Sequence, residues 1–230
     1  AQAEGRLVGP LTLRDVRYRD GSGLDVRVAQ ARLDLAVWPL LRRELHVLDL
    51  QADGISVMLA PPSPATASDN PLSLQPPLDI VLDRARVGRV RITQPGTEQP
   101  VFVADGLDLA GAWTHAGLRL HQLDLRSPDG RVQLAGELAL GNGYRGNGDG
   151  HFNWTVDGVH YAGALQASSD GQQARLALTL SKPTAATLKL SLTPRGSYPW
   201  TATLDAPRFD PAPLLGPGST ITALAATLQA

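Results

Sequence analysis

The sequence of 230 residues contains no cysteine and very few aromatic residues. Without cysteine the chain can form no disulfide, use no catalytic thiolate and build no cysteine-based zinc site. Trp, Tyr and Phe make up 5% of the residues, whereas the cores of compact β-sandwiches usually draw on aromatic side chains that each bury a large area. The apolar content is therefore mainly Leu, Val and Ala, which predicts a smooth and repetitive aliphatic surface.

Long apolar runs and an excess of one charge are also missing. No stretch of about 20 apolar residues indicates a transmembrane helix, and the first residues lack the basic flank and apolar run of a signal peptide. The formal net charge is −1. This balance argues against a nucleic-acid partner, because such proteins carry a basic stripe.

The chain does contain many stretches in which aliphatic and polar residues alternate, as in Leu24–Val28, Leu33–Val37 and Leu188–Leu192. Successive side chains of a strand point to opposite faces, so each stretch predicts a strand with one apolar face. Turn signals such as Asp157-Gly158 separate these strands at hairpin distance. The pattern predicts an antiparallel all-β meander, with a β-bulge near Gln30–Ala31, where the alternation changes phase.

Two segments depart from the alternation. Residues 38–45 carry a proline suited to a first helical turn and apolar residues at helical spacing, which predicts a short helix that covers the end of a sheet. Residues 61–77 are rich in Pro and Ser and predict a mobile loop. These segments divide the chain into a strand–helix–strand unit at 1–60, the loop at 61–77, and a continuing antiparallel β-groove at 78–230 that is cut off at its C-terminal end.

The sequence contains partial matches to nucleotide-binding and metal-binding motifs, but their context does not fit such sites. Gly141–Gly146 matches GxGxxG, but the strand-like His151–Val156 follows where a nucleotide site needs a helix, so we predict a Gly-rich hairpin loop. Asp149 alone cannot supply the acidic ligands of a calcium loop. The histidines lack metal-ligand spacing and are predicted to lie at the surface or in turns: His46, His115, His121, His151 and His160. We therefore expect no enzyme activity, no metal and no cofactor.

With these motifs set aside, the extended functional feature of the sequence is the aliphatic face of its predicted strands. This face has two interpretations. It could form the interior of a self-contained β-barrel or sandwich, and a closed β-barrel that carries one small lipid is a further alternative of this kind. Alternatively, protein covers it only in part. The scarcity of aromatic residues, and a pattern that continues to the last residues without evident closure, favour the second interpretation.

Several phrases of the sequence resemble a known family. Gly5–Tyr18 and Leu24–Leu35 resemble the N-terminal periplasmic part of the TamB family. Trp38–Val47, followed by Leu50–Val57, is similar to the strand–short helix–strand element of the wider AsmA-like proteins. Phe209–Leu215 is similar to a phrase that recurs in those proteins.

The resemblance implies a long, twisted antiparallel meander folded into an open, aliphatic-lined trough, also called a β-taco or repeating β-groove. It implies a periplasmic location, anchored in the inner membrane of a Gram-negative bacterium by an N-terminal segment absent from this chain. The implied cargo is the acyl chains of phospholipids that pass between inner and outer membrane. The implied partner is an Omp85-type outer-membrane barrel, TamA, which would be met by parts absent here. A chaperone-like scaffold for assembly of outer-membrane β-barrels is the alternative, and no catalytic residues are implied.

We predict that one set of alternating aliphatic residues lines the trough. The predicted lining residues are Leu24, Val26, Val28, Leu33, Leu35, Val37, Ile55, Val57, Leu78, Ile80, Leu107, Leu109, Leu118, Leu120, Leu176, Leu178, Leu188 and Leu190.

Overall fold

The structure is a computed structural model that describes residues 2–4, 9–20, 23–60, 75–97, 99–141, 144–193, 199–207 and 224–229, the first and last of these ranges as backbone only. Apart from one short helix, its regular elements are strands. The strands are β1 (Gln2–Glu4), β2 (Leu11–Arg19), β3 (Asp25–Ala36), β4 (Glu44–Met58), β5 (Asp79–Val87), β6 (Val90–Thr93), β7 (Phe102–Ala104), β8 (Gly106–Trp113), β9 (Gly117–Ser127), β10 (Gly130–Ala139), β11 (Arg145–Val156), β12 (Val159–Asp170), β13 (Ala174–Lys182), β14 (Ala186–Leu192), β15 (Trp200–Ala206) and β16 (Leu224–Gln229).

The chain divides into two compact units. Unit 1 contains Ala1–His115 and Gln122–Pro128, and unit 2 contains Ala116–His121 and Asp129–Ala230. Strand β9 therefore contributes its first half to unit 2 and its second half to unit 1.

In unit 1 the strand order is β1-β2-β3-β4-β5-β8, followed by the second half of β9. Strands β1 to β4 pair in antiparallel fashion, but β4 is parallel to both β5 and β6. A parallel pair needs a long crossover, and the chain between β4 and β5 is long enough to provide one. The sequence pattern did not reveal this parallel step. Most of the predicted mobile loop, residues 61–74, lies outside the described residues.

Strands β5 and β6 both pair with β4. Strand β5 lies beside the first part of β4, and β6 lies beside its last part. Where they meet, the N–H of Gly88 donates to the Ala52 carbonyl at 2.7 Å, and the Ile55 N–H donates to the Arg89 carbonyl at 2.9 Å. The Asp53 carboxylate accepts the Arg89 N–H at 3.1 Å and occupies space that a Cβ on residue 88 would need. Glycine at position 88 therefore allows the chain to pass from β5 to β6 close beside Asp53 of β4.

In unit 2 the first half of β9 is followed by β10 to β16 in chain order, and each pair from β10 onward is antiparallel. Predicted turns appear between these strands. At one of them Gly171 has a φ of 88°, and the Asp170 carboxylate accepts the N–H groups of Gln172 and Gln173, both at 2.8 Å. Unit 2 is the meander that the alternation predicts.

The predicted helix is present as a single 3-10 helix, Trp38–Arg42. It ends at Arg43, whose φ of 60° lies in the left-handed region. None of its residues is buried, and the side chains of Trp38 and Leu41 are 81% and 79% exposed. The expectation that it covers the end of a sheet is therefore wrong, because both side chains lie in solvent.

The predicted fold class, all-β with an open sheet, is confirmed. In unit 1 the strands β6 and β7 branch from the main strand order at β4, and in neither unit does a pairing among the described residues join the two edges. Buried apolar side chains are few and mostly small: Ala31, Val47, Ala85, Ala104, Leu140 and Ala206, with Pro76 as the largest that is fully buried. Among the described residues, no helix has the length and apolar character to cross a membrane.

Candidate functional site

One face of unit 1 carries aliphatic side chains that run in rows across paired strands. Leu11 of β2 pairs with Leu33 of β3, which pairs with Leu50 of β4. The row continues through Ala85 of β5 to Leu109 of β8. A parallel row contains Leu13, Ala31, Ala52, Val87 and Leu107. We call this surface the aliphatic face of unit 1.

The aliphatic rows continue past an irregularity at which the alternation of side chains between the two faces changes. This irregularity lies at the same level in β2, β3 and β4. Asp15 in β2 has a φ of 53° and Gly54 in β4 has a φ of 67°, and Ala29 of β3 lies between them, where no Cα pairing is formed. Aliphatic residues with odd and with even numbers therefore share one face on β3. The irregularity lies at Ala29, beside the predicted position Gln30–Ala31. Beyond it the rows are Val16, Val28 and Ile55, then Tyr18, Val26 and Val57.

A second change of phase affects β4 and β5 together. Pairing of β3 with β4 shifts between Asp34 and Leu35, which leaves Leu48 as an extra residue in β4. Pairing of β5 with β8 shifts between Leu82 and Ala85. Strands β4 and β5 each carry an extra residue, and the two extra residues lie at the same level. The parallel register between β4 and β5 is therefore the same on both sides of the irregularity. The aliphatic row beyond it contains Leu35, Val47, Leu82 and Gly111.

The aliphatic face of unit 2 is built in the same way but without a change of phase through most of its width. One row contains Leu134, Gly150, Leu165, Leu178, Leu188 and Leu204. The next row contains Gly136, Gly148, Ala167, Leu176, Leu190 and Ala202. Leucines of four adjacent strands therefore lie side by side.

Glycines interrupt the rows at β11. The segment that was predicted as a Gly-rich hairpin loop is strand from Arg145 onward, so Gly146, Gly148 and Gly150 occupy every second position on the aliphatic face. The hairpin-loop prediction for Gly141–Gly146 is therefore wrong at Arg145 and Gly146, because glycine alternation keeps the period of a strand while removing its side chains. The glycines border two clefts of about 340 and 270 Å³. Their apolar lining includes Leu138, Leu176, Leu190 and Leu192 in the first, and Val132, Leu134, Phe152, Trp154 and Leu165 in the second.

The opposite faces are polar and carry ion pairs between neighbouring strands. Asp25 forms the densest group, since Arg17 donates to it through Nε at 3.0 Å and through a terminal nitrogen at 2.5 Å. Arg19 and Arg27 reach the same carboxylate at 3.1 and 3.4 Å. The hydrogen bond from Arg17 is the main cause that lowers the pKa of Asp25, with a smaller contribution from Arg27. The charged side chains of these polar faces are compatible with contact with water.

A further cleft, of about 730 Å³, lies in unit 2. Its lining includes Asn147, Gln166, Arg175, Lys189 and Thr203. Leu176 and Leu190 of the leucine rows line it as well, so the cleft combines polar and apolar surface.

His46 and His115 lie beside carboxylates, and His160 lies 3.5 Å from the Thr155 hydroxyl. His115 lies 2.7 Å from Asp79 through Nδ1, and this hydrogen bond is the main cause that lowers the pKa of Asp79. His46 lies 3.0 Å from Asp83. Within the described ranges no group of three His, Asp or Glu side chains could hold a metal ion.

The structure places the predicted lining residues in these rows or next to them. Leu24, Val37 and Leu78 flank the ends of strands β3 and β5, and Leu118 and Leu120 lie in the first half of β9. None of the predicted residues is buried; Leu118 is exposed and the others are half-buried. Their contact with lipid stays a prediction.

The rows also contain aliphatic residues outside the predicted set. The missed residues are Leu11, Leu13, Val16, Leu45, Val47, Leu50, Leu82, Leu134, Leu165 and Leu204. Most lie in strands with a change of phase or beside glycine, where alternation is broken over a few residues. Continuing the alternation across those breaks would have found them.

Comparison with known proteins gives one match. Residues 1–101 match the family model described as TamB, N-terminal domain. No curated protein and no solved structure matches the chain.

Proposed function

We propose that this chain, a TamB-type protein by the match of its residues 1–101, carries phospholipid acyl chains along its aliphatic faces. The TamB N-terminal domain supports a family role in outer-membrane assembly or lipid transport. The observation that carries the finer proposal is that every predicted lining residue keeps some solvent-accessible surface, on sheets whose edges are not joined by any pairing in the described part of the chain.

Physical chemistry favours an acyl chain as the missing cover. Each CH₂ group that leaves water contributes about 0.8 kcal/mol, and rows of Leu, Val and Ala offer this gain evenly along their length. The rows contain few aromatic anchors. A surface of this kind holds a chain weakly at every point, which suits movement along the face better than docking at one position. Charged side chains stand on the opposite faces, so the headgroup stays in solvent.

The location and partners follow from the family and are proposals for this chain. A TamB-type domain fits an envelope protein of a Gram-negative bacterium, and we propose a periplasmic location with an inner-membrane anchor outside the present sequence. TamA is the proposed outer-membrane partner. We propose no enzymatic activity for this chain.

The test uses two variants on one strand. Leu178→Lys places a cation in a leucine row of β13, whereas Thr179→Lys places the same cation on the polar face of the same strand. We expect Leu178→Lys to bind a pyrene-labelled phospholipid more weakly than the wild-type chain, since a buried unpaired charge is costly. Thr179→Lys should bind like the wild type. Equal binding by all three proteins would overturn the proposal.

A scaffold for unfolded outer-membrane strands is the second candidate. It would bind its cargo by pairing at a free strand edge. An unfolded β-barrel peptide that binds Leu178→Lys as well as the wild type, with no lipid binding by either protein, would favour the scaffold over the lipid carrier.

A further inference from the structure

The 3-10 helix of unit 1 presents an apolar and cationic tip, which we define as Trp38, Leu40, Leu41, Arg42 and Arg43. Trp38 and Leu41 are the two most exposed large apolar side chains in the described part of the chain, and Leu40 is also exposed. No strand of unit 1 covers them, since the helix has no buried residue.

The tip is a fixed turn. The Leu40 N–H donates to the Val37 carbonyl at 3.2 Å, and the Arg43 N–H donates to the Leu40 carbonyl at 3.1 Å. The Arg43 carbonyl in turn accepts the N–H of Asp79 at 3.2 Å, which ties the turn to the start of β5. The apolar side chains are therefore held outward by backbone hydrogen bonds and do not depend on a loose loop.

The charges beside the apolar residues have one sign. Arg42 and Arg43 are exposed and form no ion pair with a described carboxylate. Two acidic residues at this end of unit 1 are paired with imidazoles, Asp79 with His115 at 2.7 Å and Asp83 with His46 at 3.0 Å. Glu44 lies 3.9 Å from His46. The arginines are thus left free to bind an external anion.

We propose that the tip inserts into the interface of a bilayer that contains anionic phospholipid. Tryptophan is favoured at membrane interfaces, and leucine side chains gain from leaving water. Arginines next to them bind anionic headgroups, each strengthening the attraction near the surface. The surface combines the two requirements of an interfacial contact, an apolar wedge and an adjacent cationic pair. This proposal rests on other residues than the aliphatic faces and can fail or succeed separately.

Vesicle co-sedimentation tests it. Vesicles of phosphatidylcholine alone are compared with vesicles that also contain phosphatidylglycerol, at low and at high salt. We expect the wild-type chain to prefer the anionic vesicles and to bind them more weakly at high salt. Replacing both arginines by Gln should weaken binding by about fivefold for each arginine, and Trp38→Ser with Leu41→Ser should abolish it.

Matched controls lie at the other end of β4. Val101→Ser removes an exposed apolar side chain and Arg91→Gln removes an exposed arginine, both near strand β6. Neither should change binding. Leu178→Lys, which tests the aliphatic face, should also bind vesicles like the wild type, and this separates the two proposals.

A second measurement avoids any loss of fold. Brominated phospholipid should quench the fluorescence of the wild-type chain, and the quenching should fall in Trp38→Phe but persist in Trp200→Phe. Equal quenching in both variants, or wild-type binding that is the same for neutral and anionic vesicles, would overturn the proposal. Failure of the wild type to bind either vesicle would also overturn it and would leave a protein partner as the occupant.

Discussion

The side chain of Leu134 occupies the space that a Cβ atom on Gly150 would fill. The two residues are directly paired between β10 and β11. A leucine therefore lies over a glycine within the aliphatic face of unit 2. The row stays apolar at this strand even though residue 150 has no side chain.

Gly150→Ala should therefore destabilise the protein. The added methyl group meets Leu134 and approaches the Gln133 carbonyl oxygen at 2.8 Å, and overpacking of this kind costs roughly 1–3 kcal/mol. Urea unfolding followed by circular dichroism measures the change. Gly141→Ala is the control, because nothing lies within 4 Å of its new Cβ, and it should change stability by less than about 0.5 kcal/mol. Equal effects of the two substitutions would contradict the packing described here.

The contact between Gly54 and Ala29 leads to a second prediction. Gly54→Ala should cost more than Gly96→Ala, although both glycines have positive φ values, +67° and +83°. The left-handed backbone costs an alanine about 1–2 kcal/mol at either position. At Gly54 the new Cβ would also lie 2.8 Å from the Ala29 Cβ, whereas at Gly96 it meets nothing within 4 Å.

Urea midpoints of the two variants separate the clash from the backbone strain. If Gly96→Ala proved as destabilising as Gly54→Ala, the change of phase at Ala29 would not be a tightly packed feature.

The cluster at Asp25 predicts a dependence of stability on pH. Its pKa lies below the ordinary value of 3.8 in the folded state, so the folded state favours the carboxylate. The resulting stabilisation is fully present above that ordinary value and is lost as the pH falls through the lower folded-state pKa. Asp25→Asn should therefore be less stable than the wild type at pH 7, and the difference should shrink below pH 3.8.

Urea midpoints at several pH values measure this difference. Asp205→Asn, at an exposed carboxylate of β15, serves as the control. A gap between Asp25→Asn and wild type that keeps its size at acid pH would show that the carboxylate charge does not stabilise the fold.

The sequence predicted the all-β class because alternation of aliphatic and polar residues is a local signal. The alternating stretch Leu188–Leu192 lies within β14, and the turn at Asp157-Gly158 follows from residues that tolerate its positive φ values of 50° and 80°. The change of phase near Ala29 was also visible, since it alters the alternation within a single strand.

Other features depend on contacts that no local pattern encodes. The parallel pairing of β4 with β5 is set by how a long connection returns to the sheet. The start of β11 was predicted six residues too late because Gly146, Gly148 and Gly150 alternate like strand residues but carry no hydrophobic signal. The outward position of Trp38 could not be read from helical spacing, because spacing does not tell whether a sheet lies opposite.

Site-specific photo-crosslinking tests the central claim most directly. A photoreactive residue is placed at Val26 or Leu178 on the aliphatic faces, and at the adjacent Arg27 or Thr179 on the polar faces, in the presence of phospholipid vesicles. Mass spectrometry then detects phospholipid adducts. The account predicts adducts at Val26 and Leu178 and only background at Arg27 and Thr179. Adducts of equal yield at both kinds of position would contradict it.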